Sequence, residues 1–212
     1  GVLTNDLGAV QAAQTTVLLA RSLADRGHQV WMFGIGDLSL DHARSIGAVA
    51  HRAPRSRYRS SELYLEELRS APAERIQAEN LDLLLLRINP ARDKARPWAQ
   101  AAAIQLGRLA ARAGVVVLND PEGLARAHTK LYLQQFPTEV RPHTLITRDR
   151  ETIRAFAVSQ QGPVVLKPML GTGGADVFLV RPGDHANLNQ IIDVIARTDF
   201  VICQEYLPAA EE

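Results

Sequence analysis

The chain has 212 residues, of which 46% are hydrophobic and 22% charged, and its formal net charge is +1. These values are typical of a soluble protein with one large or two small domains, and they give no electrostatic basis for nucleic-acid binding. A single cysteine, Cys203, excludes an internal disulfide, and neither a membrane-spanning run nor a secretion signal is visible, so we expect a cytoplasmic protein without a membrane partner.

Strands and helices alternate over the first 119 residues. Strands are predicted for the VLT segment and for residues 29–35, 81–87 and 115–119, and helices for residues 11–25, 61–70 and 97–113. The signal between residues 38 and 80 is mixed and includes a basic loop at 52–59, which is either solvated or attractive to an anionic peptide. Uninterrupted apolar strands such as LDLLLL are typical of parallel sheets, so we expect a three-layer α/β domain.

The pattern changes after Asn119. Helices are predicted over residues 121–136, 150–160 and 185–197, and strands over 143–148, 163–169, 175–180 and 200–207. This order is more typical of an antiparallel α+β domain. We therefore place a domain boundary near residue 120, which gives domains at 1–119 and 120–212.

The segment PVVLKPMLGTGG at residues 163–174 suggests a phosphate site. Lys167 ends a predicted strand, and Gly171, Gly173 and Gly174 follow it. Glycine loops let backbone N–H groups approach an anion, which a nearby ammonium can neutralise. The alternative is a hairpin turn with a solvated lysine. The segment is not a P-loop, and GIGDLS at 34–39 lacks the third glycine of a dinucleotide fingerprint, which disfavours an NAD oxidoreductase.

Four segments carry a family resemblance: LNDPEGLARAHTKLY, FPTEVRPHTLITR, PVVLKPMLGTGGADVFLV and CQEYLPA. In this order they resemble the ATP-grasp superfamily and, more narrowly, bacterial glutathione synthetases. FGIGDLSL and LLLLRINPARD extend the resemblance upstream. It implies a Rossmann-like pre-ATP-grasp domain with a parallel sheet, followed by an incomplete α+β ATP-grasp domain that holds the lid subdomain and the adenine-binding linker.

The resemblance also implies roles for individual residues. Two lysines would contact ATP phosphates, a glycine loop would fold over them, and a linker segment would recognise adenine. The matching residues are Lys130 and Lys167, then Gly171, Thr172, Gly173 and Gly174, then Gln204, Glu205, Tyr206 and Leu207. Taken singly, each has an ordinary structural alternative, such as a solvated helix lysine or a strand end.

Candidate groups for an acidic substrate follow the predicted parallel strands. Arg87 comes directly after LDLLLL, at the edge where α/β sheets bind ligands, and its guanidinium could hold a carboxylate in bidentate fashion. The alternative is a surface or interface arginine. Asp6 and Asp37 also follow strands and either face the same crevice or cap a turn.

The reaction that the resemblance implies is an ATP-dependent carboxylate–amine ligation. ATP would phosphorylate γ-glutamylcysteine, and glycine would attack the acyl-phosphate to give glutathione, ADP and phosphate. Mg²⁺ or Mn²⁺ would be the metal cofactor, with its ligands and the catalytic residues expected beyond Glu212, in a longer enzyme. The partners would be these small molecules, and a homo-oligomer is allowed. The alternatives are another ATP-grasp ligase with a different acid and amine, or a non-catalytic nucleotide-binding module.

Overall fold

A computed structural model describes residues 1–42, 45–89, 96–171, 173–183 and 186–211. The chain divides into two compact units, Gly1–Ala125 and Arg126–Glu212. Within the described ranges, no helix has both the length and the apolar character needed to cross a bilayer.

Unit 1 is built on a seven-stranded mixed sheet. Its strands are β1 (Val2–Thr4), β2 (Trp31–Gly34), β3 (Leu38–Leu40), β4 (Ile46–Arg52), β5 (Glu74–Gln77), β6 (Leu83–Arg87) and β7 (Val116–Leu118). Along the sheet the order is β3-β4-β2-β1-β6-β7, with β5 paired to β4. Strands β2, β1, β6 and β7 are parallel, while β4 pairs antiparallel with β2, β3 and β5. The mixed signal between residues 38 and 80 therefore corresponds largely to an antiparallel extension of the parallel sheet.

Helices cover both faces of the sheet in unit 1. They are α1 (Thr15–Asp25), α2 (Ser61–Ser70) and α3 (Ala99–Arg112), and α4 (Pro121–Arg126) follows at the boundary with unit 2. Val2 and Met32 pack in one core with residues of α1 and α2, whereas Leu3 and Phe33 pack in a second core with residues of α3. Because successive residues of a strand point to opposite faces, these neighbours show a sheet buried on both sides. The predicted α/β class with three layers is confirmed.

Strand β7 departs from the expectation of a buried strand. Val116 and Leu118 are 58% and 49% exposed. These side chains are exposed because β7 is an edge strand: it is last in the strand order, and its described pairing is with β6. An apolar sequence run does not distinguish an edge strand from a central one.

Unit 2 holds a four-stranded antiparallel sheet with two helices. The strands are β8 (Thr144–Thr147), β9 (Val164–Pro168), β10 (Phe178–Val180) and β11 (Val201–Glu205), in the order β10-β9-β11-β8, and the helices are α5 (Arg150–Ser159) and α6 (Leu188–Ala196). Val164 and Leu166 of β9 pack in the core with residues of both helices. Lys167 alternates with Leu166, so its side chain leaves the sheet on the face opposite that core.

Cys203 lies on β11 inside the core of unit 2. Its side chain has no exposed surface, and burial raises the pKa of the thiol to about 12. A thiol with so high a pKa is almost entirely protonated near neutral pH and is therefore a poor nucleophile.

The predicted helix over residues 121–136 is wrong in its second half. Helix α4 ends at Arg126, and Lys130–Gln135 forms a separate 3-10 helix. The hydroxyl of Thr129 accepts from the backbone N–H of Leu131, and the backbone N–H of Lys130 donates to the carbonyl of Met169 at 3.2 Å. A tertiary hydrogen bond thus takes the place of the helical one and fixes Lys130 beside the end of β9.

Candidate functional site

The structure brings the two predicted lysines together at one end of β9. Lys167 is the penultimate residue of β9. The Nζ of Lys130 donates to the carbonyl of Pro168 at 2.8 Å and lies 3.5 Å from that of Met169. The chain contains only three lysines among its 24 basic residues, the others being arginines. Two of the three therefore meet at one strand end, where compact ammonium charges are concentrated.

Burial and mutual repulsion make these two ammonium groups less stable than ordinary ones. Burial lowers the pKa of Lys130, an effect that the carboxylate of Asp199 opposes. Burial also lowers the pKa of Lys167, and the charge of Lys130 lowers it further. In the described part of the chain no carboxylate forms an ion pair with either lysine. A bound polyanion would relieve both penalties, because it favours the charged form of each.

A chain of hydrogen bonds orients Lys167 across three strands. Its Nζ donates to Oε1 of Gln204 at 2.6 Å, and Nε2 of Gln204 donates to Oγ1 of Thr144 at 3.0 Å. The Thr144 hydroxyl in turn donates to the carbonyl of Pro142 at 2.7 Å. The ammonium is thus directed by neutral groups that leave its charge unneutralised.

The glycines of the loop after β9 are required by backbone conformation. Gly171, Gly173 and Gly174 have φ values of +118°, +68° and +75°, a region that residues with a Cβ rarely adopt. A Cβ on Gly173 or Gly174 would meet no atom within 4 Å, so close packing is not the reason for glycine there. Thr172 lies outside the described residues. The described loop residues from Gly171 to Val177 are exposed.

The start of the loop is held by a residue that sequence reasoning missed. Asp199 precedes β11, and its Oδ2 accepts from the backbone N–H of Leu170 at 2.7 Å. An aspartate in a turn is common and carries no sign of a distant partner. Only the pairing of β9 with β11 could have suggested that Asp199 lies near the loop.

The predicted adenine segment lies at the end of β11. The backbone N–H groups of Glu205 and Tyr206 donate to the carbonyls of His143 and Pro163, each at 3.0 Å. The Glu205 carboxylate accepts from the backbone N–H of His143 at 2.8 Å. Leu207 follows with a side chain that is 47% exposed.

In unit 1, Arg87 ends the strand that pairs with β1. It stands in register with Thr4, so Asp6 follows the adjacent strand end. Arg87 is exposed, and its Nε donates to the hydroxyl of Thr16, in the first turn of α1, at 3.3 Å. Among the described residues no carboxylate pairs with its guanidinium.

Each of the two aspartates after the strands accepts a hydrogen bond from a backbone N–H of its own turn, and Asp6 also pairs with a distant arginine. Asp6 accepts from the backbone N–H of Gly8 at 2.8 Å and from Arg96 at 2.9 Å, and the hydrogen bond from Arg96 is the main reason for its lowered pKa. Asp37 accepts from the backbone N–H of Gly34 at 2.8 Å. Both carboxylates thus accept capping hydrogen bonds from backbone N–H groups, and the substrate-binding role of Asp6 stays a prediction.

No metal cluster is found among the described residues, and the arginines of the basic loop are exposed. Over the described ranges, no three His, Cys, Asp or Glu side chains lie close enough to hold a metal ion. In the basic loop, Arg52 lies over the ring of Trp31 at 5.1 Å, and Arg55 pairs with Glu67 at 2.6 Å. We therefore assign no metal ligand to the described residues.

Comparison with known protein families adds independent information. A model of the prokaryotic glutathione synthetase N-terminal domain matches residues 1–125, and a model of the ATP-grasp domain of the same enzymes matches residues 129–212. Together they span almost the whole chain.

Individual proteins give the same result. The chain is similar to a glutathione synthetase of Gloeobacter violaceus, with 32% identity over 206 residues that cover 93% of the chain and 59% of that protein. A glutathione synthetase of Xanthomonas axonopodis pv. citri is 30% identical over 212 residues, covering 98% of the chain and 62% of that protein. The chain thus spans about three-fifths of the length of these relatives.

Among solved structures, a RimK domain ATP-grasp protein from Sphaerobacter thermophilus superimposes with a TM-score of 0.56. The match covers 98% of this chain and 65% of that one at 19% identity. At that level of identity the superposition supports a shared fold, which is that of the ATP-grasp proteins.

Proposed function

This chain belongs to the prokaryotic glutathione synthetase family, and from that premise we propose that it is part of an ATP-dependent carboxylate–amine ligase whose second unit binds ATP. The observation that carries the proposal is the pair of half-buried ammonium groups of Lys130 and Lys167. They lie beside an exposed glycine loop, and neither forms an ion pair with a carboxylate of the described residues.

Lys167 and Lys130 would bind the phosphates of ATP. Phosphoryl transfer depends mainly on positioning and on neutralising the charge of the phosphoryl oxygens. Gln204 directs the ammonium of Lys167 away from the core, and the carbonyls of Pro168 and Met169 hold that of Lys130 until a phosphate replaces them. The backbone N–H groups of the glycine loop would complete the anion site.

The substrates we propose are γ-glutamylcysteine and glycine. A carboxylate is a poor electrophile, so its oxygen first attacks the γ-phosphorus of ATP, which releases ADP and leaves an acyl-phosphate. The amine of glycine then attacks the carbonyl carbon, phosphate departs with the C–O bond electrons, and the amide of glutathione forms. The glycine loop would cover the acyl-phosphate and keep water from hydrolysing it.

The acid substrate and the metal ion would be bound outside the pair of lysines. Arg87 would bind a carboxylate of the acid substrate through its guanidinium. ATP would be used as a magnesium or manganese complex, but no cluster for the ion exists among the described residues, so no step is assigned to it. The protein would act in the cytoplasm on small molecules.

Phosphate release from Mg-ATP by the longest natural form of the chain tests this function. Reactions would contain γ-glutamylcysteine alone, glycine alone or both, and Lys167→Ala would be compared with the unsubstituted protein. We expect release that needs both substrates and disappears in the variant. Bound ATP without release would refute these substrates, and a panel of other acids and amines would then separate a different ligase from a non-catalytic nucleotide-binding module.

A further inference from the structure

The base of the glycine loop is fixed from two sides. On one side, the backbone N–H of Lys130 donates to the carbonyl of Met169 at 3.2 Å, and its Nζ donates to that of Pro168 at 2.8 Å. On the other side, the backbone N–H of Met169 donates to the carbonyl of Phe200 at 3.2 Å, and that of Leu170 donates to Asp199. Three consecutive residues are thus held before the first glycine.

Asp199 uses both carboxylate oxygens at this point. Oδ2 accepts from Leu170 N–H and Oδ1 from the N–H of Phe200, each at 2.7 Å. Hydrogen bonds to a charged acceptor are stronger than those between neutral groups. The same carboxylate stabilises the charged form of Lys130 electrostatically, which opposes the effect of burial.

The described residues in the rest of the loop differ from those at its base. Beyond Leu170, the described glycines have positive φ angles and exposed surroundings, as a segment that moves over a ligand requires. A moving loop with a loose base would sample many unproductive positions, each of which adds to the entropy lost on binding.

We propose that Asp199 is a positioning residue for ATP binding: it fixes the base of the glycine loop, so that the loop closes over the phosphates about a fixed point. This inference rests on the proposed ATP site. The negative charge of a carboxylate does not itself attract phosphates, so Asp199 acts on the loop base through the two backbone N–H groups that its oxygens accept.

The test compares Asp199→Ala and Asp199→Asn with Asp149→Ala in the longest natural form of the chain. Asp149 is a matched control, since it accepts from the backbone N–H of Thr152 at 2.8 Å at the start of α5. The measurements are the dissociation constant for Mg-ATP, the melting temperature and the hydrogen-exchange rate of the Leu170 amide without nucleotide.

For Asp199→Ala we expect Mg-ATP binding weaker by about tenfold, the effect of losing one charged hydrogen bond, with faster exchange at Leu170. Asp199→Asn keeps an acceptor and should lose less affinity, but its affinity should fall at a lower pH because the charge that supports the Lys130 ammonium is gone. In the unsubstituted protein burial lowers the pKa of Lys130 and the charge of Asp199 opposes that effect, while burial and the charge of Lys130 lower the pKa of Lys167. Asp149→Ala should lower the melting temperature and leave Mg-ATP affinity unchanged.

Two results would overturn the inference. One is Mg-ATP affinity that is unchanged or tighter in both Asp199 variants while the unsubstituted protein binds normally. The other is unchanged exchange of the Leu170 amide, which would show that Asp199 does not hold the loop base. Failure of the unsubstituted protein to bind Mg-ATP would instead refute the proposed function, and the exchange measurement would still decide whether the anchor exists.

Discussion

The ammonium of Lys167 donates a 2.6 Å hydrogen bond to Oε1 of Gln204 on the neighbouring strand. The side-chain amide of Gln204 cannot flip without losing hydrogen bonds, because its Nε2 already donates to the hydroxyl of Thr144. The lysine is therefore oriented by an amide whose own orientation is fixed. Such pre-orientation lowers the entropy that binding a phosphate would cost.

Gln204→Leu should weaken Mg-ATP binding about fivefold, because a net hydrogen bond contributes about 1 kcal/mol and the lysine loses its orientation. Gln204→Glu should weaken it more, since the new carboxylate would pair with Lys167 and compete with the phosphates. Titration with Mg-ATP measures both effects. Gln77→Leu is the control, because Gln77 accepts a similar bond from the Ser45 hydroxyl in unit 1. Equal affinities for Gln204→Leu and the control would contradict this role.

The lowered pKa values of Lys130 and Lys167 predict opposite pH trends for stability and binding. Both groups lose their proton below the ordinary lysine value of 10.5. As the pH rises through their lowered pKa values towards 10.5, the unfavourable charged form is lost from the folded state, so their contribution to the free energy of unfolding rises. Mg-ATP affinity should fall over the same interval, because the phosphates need the ammonium form.

Calorimetric titration in buffers of different ionisation enthalpy measures this linkage. In the alkaline range we expect net proton uptake on binding Mg-ATP, since bound phosphates raise both lysine pKa values. Lys167→Met should reduce the uptake. Binding without any proton uptake up to about pH 10 would mean that neither lysine contacts the phosphates.

Gly173→Ala should reduce activity through the backbone. Its φ of +68° costs a residue with a Cβ about 1–2 kcal/mol, although the space around the position is open. We expect Mg-ATP affinity or turnover to fall several-fold as the loop shifts to another conformation. Gly162→Ala is the control, because a Cβ there also meets open space and no positive φ is needed. Equal kinetics in the two variants would show that the loop conformation seen here is not the active one.

Arg87→Met should raise the KM for the acid substrate by at least tenfold, because a hydrogen-bonded charge pair with a carboxylate contributes about 1.5–3 kcal/mol. Mg-ATP affinity should stay the same, since the phosphates are assigned to Lys130, Lys167 and the glycine loop. Steady-state kinetics with each substrate varied in turn gives both values. Arg75→Met, at an exposed position of β5, is the matched control. A change in Mg-ATP affinity without a change in the KM for the acid would refute the assignment.

Local sequence signals predicted the parts of the molecule that depend on local chemistry. Val164 and Leu166 alternate with Val165 and Lys167, which is enough to place the lysine opposite the core. The glycine pattern likewise predicted a loop after this strand, and the structure shows such a loop with a positive φ at Gly173.

Features that depend on distant pairing were not predictable in this way. The exposure of Val116 follows from the place of β7 in the strand order, which periodicity does not report. The separation of Lys130 from helix α4 is accompanied by its backbone bond to Met169, which comes from another part of the chain. Asp199 and Leu170 are 29 residues apart, so their contact exists only once β9 and β11 have paired.

Because Cys203 is buried, the reactivity of its thiol reports on opening of the core of unit 2. A thiol with a pKa of about 12 and no exposed surface escapes alkylating reagents and oxidants as long as β11 stays packed. Because the chain has no other cysteine, any labelling measures how often this core opens. A protein proposed to handle a thiol substrate would thus keep its single thiol out of disulfide exchange with that substrate.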